Sequence, residues 1–147
     1  MFKYVFLFFI GFSVLNAQNP SSAAPTPNKA PADVISVYSD AFTENIASDL
    51  NPDWGQATQT TEVQIDGNNT LEYANLNYQG LDYDRTDVSA MEYVHLDYYT
   101  NDAFLIGFSL ISASPTVENQ YIFSPISGSW QSIDIPLSAY NANLDRV

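Results

Sequence analysis

The segment Asp66-Gly67-Asn68-Asn69, set between the runs 60–65 and 70–78, constrains this chain more than any other feature. Asp, Gly and Asn tolerate the positive φ of a tight hairpin turn. The flanking runs carry Thr, Val, Ile, Leu and Tyr, residues that suit a pleated, half-buried surface. The turn therefore folds the two runs into an antiparallel pair. The rest of the chain follows the same grammar: short apolar runs broken by Gly, Pro, Asn and Asp, with no convincing helical period. Strands are expected at 33–39, 60–65, 70–78, 91–100, 104–111, 120–124 and 130–136, with Ser127-Gly128-Ser129 as a further turn.

Two of these runs can be read more closely. Alternation in 91–100 places Val94, Leu96 and Tyr98 on one face and Tyr93, His95, Asp97 and Tyr99 on the other. The run 104–111 is apolar on both faces, the pattern of a central strand covered from both sides. Strands at this spacing give an all-β class, an antiparallel β-sandwich or jelly roll. A jelly roll uses about eight strands. Nothing resembling a closing strand follows 135–140 before Val147, so the pattern reads as a sandwich lacking its last one or two strands.

Residues 1–17 read as a secretory signal peptide. Lys3 gives a positive start, 4–15 is an almost unbroken apolar run, and Ala17 offers a small residue at the cut. The run is too short for a bilayer span, which takes about 20 residues. Cysteine is absent, which excludes a lipid-anchored cysteine, disulfides and thiol chemistry. Residues 18–32 form a Pro-rich linker without an aromatic residue, a semi-extended spacer that cannot build a core. The remaining 33–147, about 115 residues, suits one domain. The expectation is a secreted chain with no membrane association after cleavage.

Seventeen Asp/Glu against four Lys/Arg argue against a nucleic-acid partner, whose phosphates demand a basic surface. The acidity is compatible with calcium, which takes carboxylate and carbonyl oxygens. No G-x-S-x-G elbow, H-E-x-x-H pair or Gly-rich phosphate loop occurs. A glycosidase needs two carboxylates flanking the bond, and no spacing singles out a pair.

The candidate binding residues lie in two stretches. Asn51-Pro52-Asp53-Trp54-Gly55-Gln56 sets a tryptophan among polar groups in a Pro/Gly turn. Trp54 is either a stacking platform or a core tryptophan plugging the sandwich. Asp53 and Gln56 either bond sugar hydroxyls or cap the turn. Asn75, Asn77 and Gln79 alternate along one face of the expected strand 70–78 and its end, lining a glycan groove or a solvated face. Tyr93, His95, Asp97 and Tyr99 extend that surface if the two strands are neighbours. His95, the single histidine, reads as a structural hydrogen-bonding group beside Asp97. Trp130 reads as core. Aromatic rings stack on pyranose C–H faces while amides and carboxylates bond hydroxyls, so this set points to a sugar.

Five ordered blocks carry a resemblance: D-V-I-S-V-Y-S-D-A-F-T (33–43), N-P-D-W-G-Q-A-T (51–58), G-N-N-T-L-E-Y-A-N-L-N-Y-Q-G (67–80), D-V-S-A-M-E-Y-V-H-L-D-Y-Y-T (87–100) and W-Q-S-I-D-I-P-L-S-A-Y (130–140). Together they resemble a carbohydrate-binding-module-like, galactose-binding-like jelly roll of secreted Bacteroidetes proteins, often appended to glycoside hydrolases. The resemblance implies two further strands beyond Val147 and a monomeric module of a larger chain. Its expected partner is a polysaccharide such as a β-glucan. It also implies a structural calcium near the first strand, with Asp40, Thr43 and Glu44 as ligands. The expected function is non-catalytic polysaccharide binding that targets an attached glycan-degrading enzyme. The alternatives are a spacer or adhesion module without a sugar ligand, or a small glycan lyase or hydrolase.

Overall fold

The computed structural model describes residues 19–113 and 115–147, with the side chain of Arg146 left out. The expected leader at 1–17 lies outside the described residues. The fold is all-β and antiparallel, with eight short strands among the described residues: β1 (Ala47–Asp49), β2 (Gln59–Ile65), β3 (Asn68–Ala74), β4 (Asp82–Tyr83), β5 (Tyr93–Tyr98), β6 (Ile106–Ser112), β7 (Val117–Phe123) and β8 (Gln131–Pro136). The helical pieces among the described residues are three-residue 3-10 turns. None is long and apolar enough to cross a membrane. The strands pair as β1–β4, β2–β3, β5–β8 and β6–β7.

The β2–β3 hairpin forms where the turn residues require it. Asp66 and Gly67 take φ of 51° and 82°, and Ile65 pairs directly with Asn68. Positive φ at both central residues matches the right-handed twist of the flanking strands. The ladder runs from Ile65–Asn68 to Gln59–Ala74 without a bulge.

The core lies between two of the pairs, giving the small sheets a sandwich character. Val94 pairs with Ile135 and Leu96 with Ile133, so β5 and β8 present one apolar face. Phe108 and Leu110 of β6 and Tyr121 of β7 pack into the same cluster. Tyr98 of β5 meets Phe123 of β7 with ring centroids 5.5 Å apart, tying the layers together. Ile135 is fully buried at the centre, joined by Leu137, Tyr140 and Val147. Val147 exchanges both backbone hydrogen bonds with Thr86, and the Val88 amide donates to the Leu144 carbonyl. The Tyr140 hydroxyl donates to the Phe108 carbonyl at 3.2 Å. Ser112, also fully buried, accepts from the Asn143 amide.

Three expected elements differ. Residues 33–39 form no strand. Ile46 and Ala47 donate to the carbonyls of Ser36 and Val37, but the chain reverses between, so no ladder builds. The Tyr38 hydroxyl donates to Glu62 and the Asn69 amide to Asp40, which fastens this loop to the β2–β3 hairpin. Burial, reinforced by Glu62, pushes the Tyr38 hydroxyl pKa far up. The run 104–111 is not doubly covered. β6 buries Leu110 but exposes Ile111, while Phe104 and Leu105 before it, and Ile122 across the pair, are also exposed. Its only partner among the described strands is β7. A two-faced apolar run shows what could be covered, not whether a cover exists. Finally, β3 stops at Ala74 because Asn75 turns to φ 55°, which ends the ladder.

Candidate functional site

The loop 51–58 and the segment 75–80 form one hydrogen-bonded unit around Trp54. The Trp54 amide meets Gln56 Oε1 at 2.9 Å and the Pro52 carbonyl at 3.0 Å. Gln56 Nε2 returns to the Pro52 carbonyl at 2.6 Å, which fixes both ends of that amide. Gly55 at φ 83° supplies the turn. Across the unit, the Tyr78 hydroxyl donates to the Trp54 carbonyl at 2.7 Å. Asn77 Oδ1 accepts from the amides of Ala57 and Thr58 at 2.8 and 3.1 Å. The buried Thr58 hydroxyl donates to the Tyr78 carbonyl at 2.7 Å and accepts from the Asn77 amide at 3.2 Å.

The six-membered ring of Trp54 packs against Gly80. A Cβ there would lie 2.6 Å from Cη2, far inside van der Waals contact. Trp54 nevertheless stays 46% exposed, with Tyr78 at 45% and Leu76 at 55%. Trp54 is therefore not a core plug: it is a ring seated on backbone with a substantial part open to solvent. Asp53 and Asn75 lie exposed on the same two segments.

Not all of the expected polar groups remain available. Gln56 spends its amide and Asn77 its Oδ1 holding the loop, and Gln79 Nε2 donates to the Gly80 carbonyl at 3.0 Å. Asn75, Asn77 and Gln79 lie beyond the end of β3, so they do not line a strand face. Reading the sequence by strand parity missed Tyr78, Thr58 and Gly80. The visible signal was the terminal Tyr-Gln-Gly of L-E-Y-A-N-L-N-Y-Q-G, where glycine permits close approach of a ring.

The second candidate surface is the outer face of β5 and β8. Here the expected alternation is observed: Val94 and Leu96 pack into the core, whereas Tyr93 and His95 are exposed. His95 pairs with Asp134 and Asp97 with Ser132. His95 Nδ1 lies 2.6 Å from Asp134 Oδ1 and Nε2 lies 3.5 Å from Asp97 Oδ1. A carboxylate only accepts, so the Nδ1 proton points to Asp134. Ser132 Oγ donates to Asp97 rather than to the imidazole, so the hydroxyl is not lined up as a nucleophile. The amide-bearing segment does not extend this face, because β3 pairs with β2 and β5 with β8. Tyr99 lies just past β5 and meets Trp130 edge-on at 5.9 Å. Trp130 is half-buried and outside the core cluster, contrary to the core reading.

Of the calcium candidates, Asp40 accepts from the Asn69 amide, and Thr43 and Glu44 are exposed. No three His, Asp or Glu side chains are placed to hold a metal among the described residues. Thr43 and Glu44 line an open cleft of about 400 Å³ with Pro31, Val34, Ile35 and Phe42.

Comparison with protein-family models, with curated proteins and with solved structures gives no match for this chain.

Proposed function

We propose that this chain is a secreted, non-catalytic module that binds a polysaccharide through the Trp54 loop. The observation that supports it is the half-exposed indole, seated on Gly80 and backed by a hydrogen-bonded loop. A ring held this way meets a pyranose face without losing further side-chain freedom on binding. Tyr78 and Leu76 widen the apolar surface, and Asp53 and Asn75 stand ready for hydroxyls. The site is open, so water competes for every hydrogen bond. Affinity is expected at roughly micromolar to millimolar, about 4 to 8 kcal/mol.

The spacer or adhesion reading draws support from one observation: the Gln56 amide and the Asn77 Oδ1 are engaged inside the loop. Affinity electrophoresis in gels containing laminarin, mixed-linkage glucan, xylan, agarose or alginate separates the two. Retardation by one polysaccharide, lost in a folded Trp54→Ala variant, supports the binding module. A folded protein retarded by none of them supports the spacer.

A further inference from the structure

The Trp130 indole donates from Nε1 to the carbonyl of Ser22 at 2.8 Å, across 108 residues of chain. The donor immediately precedes β8 and the acceptor lies in the Pro-rich segment. Indole N–H can only donate, and a partly buried one needs an acceptor. An extended Pro-rich chain makes no internal hydrogen bonds, so its carbonyls are free to accept. Its prolines lack the N–H that adding to a sheet edge would require. Donor-only ring and donor-poor chain are therefore complementary, the chemistry by which aromatic-lined grooves take polyproline segments.

The aromatic pair is also held by contacts within the sheet and its flanking turn. The Gly128 amide donates to the Thr100 carbonyl at 2.8 Å, and Gln131 pairs with Tyr98. These contacts set Trp130 beside Tyr99 with their planes 64° apart. On the segment itself, Pro20, Ala23, Ala24 and Pro27 are half-buried rather than fully solvated. Among the described residues, those before Pro31 form no helix or strand, and the chain bends at Ser21–Ser22, which brings the Ser22 carbonyl to the ring.

We infer that Tyr99 and Trp130 form a docking surface for a proline-rich peptide that bends to present a carbonyl to the indole, and that residues 20–27 of this chain are its resident ligand. The surface is separate from the Trp54 loop, and the inference does not depend on sugar binding. Because the ligand is tethered, its effective concentration is roughly millimolar, and a free peptide of the same chemistry displaces it only near that concentration.

The test uses the full chain with ¹⁵N-labelled indoles. With two tryptophans, two indole signals appear, and Trp130→Phe identifies one of them. A nuclear Overhauser contact is expected between the Trp130 indole proton and the Ser22–Ala23 backbone of the unaltered chain. Replacing Pro20, Pro25 and Pro27 by Gly should shift the Trp130 signal and speed its exchange about tenfold, the equivalent of one net hydrogen bond. The Trp54 signal should stay in place. A synthetic peptide of residues 19–30 should return the variant's Trp130 signal toward its original position, and the peptide with Gly at the three prolines should do so less well. Absence of the Overhauser contact overturns the inference even if the glycine variant fails to fold. So does a folded variant whose Trp130 signal is unmoved, or one that responds equally to both peptides.

Discussion

Substituting Gly80 by alanine puts one methyl group where the Trp54 ring now lies. The added Cβ would overlap Cζ3 and sit 2.6 Å from Cη2 and 2.7 Å from Cε3, so the indole must leave its seat. Trp54 is 46% exposed, so about half its surface is covered. A fully buried large aromatic covers up to about 250 Å². Half of that, at about 25 cal/mol per Å², sets an upper limit of about 3 kcal/mol for complete displacement. Alanine also restricts the unfolded chain, returning about 0.4 to 1 kcal/mol. The net loss expected for Gly80→Ala is therefore about 2 kcal/mol. With a urea slope of about 1 to 3 kcal/mol per molar, the midpoint should fall by about 1 M. Tryptophan emission should move to longer wavelength, and any polysaccharide retardation should weaken with it. An unchanged midpoint together with unchanged emission would refute the seating of the indole on Gly80, and with it the platform.

Two further outcomes probe the loop and the core. Asn77→Ala removes the acceptor of the Ala57 and Thr58 amides and should cost about 1 to 3 kcal/mol in urea denaturation. Asn77→Asp keeps an acceptor oxygen in that position and should recover most of the loss. For Tyr140, burial first, and the nearby Tyr121 second, push the hydroxyl pKa up to about 12. Its folded value lies above the ordinary value of about 10, so its contribution to stability is fully present below pH ~10 and fades as pH rises toward ~12. The tyrosinate absorbance difference between the parent and Tyr140→Phe should show this late step, which a step near pH 10 would contradict.

Much of the fold was legible where local chemistry leaves few choices. Asp66-Gly67 has one good use, a tight turn with positive φ, and the β2–β3 ladder follows from it. The alternation from Tyr93 to Tyr98 assigned faces correctly because one side of β5 meets a core and the other meets water. Residues 33–39 show the opposite case. Val34, Ile35 and Val37 have strand character, but a strand also needs a partner in register, and here only two backbone bonds reach it. Strand propensity describes a residue, whereas pairing is a property of two segments.

The candidate site divides in the same way. The sequence by itself placed Trp54 in a Pro/Gly turn among polar residues and made the chain all-β. The tertiary structure decided that Trp54 lies half-open on Gly80, that Gln56 and Asn77 serve the loop, and that Trp130 reaches the Pro-rich segment instead of the core. Gln56 apart, which bonds Pro52 four residues away, those outcomes depend on contacts across 20 residues or more, such as Ala57 with Asn77 and Ser22 with Trp130. Local patterns carry φ preferences and face assignments. Which distant group satisfies a given N–H, or covers a given ring, is settled only when the segments meet.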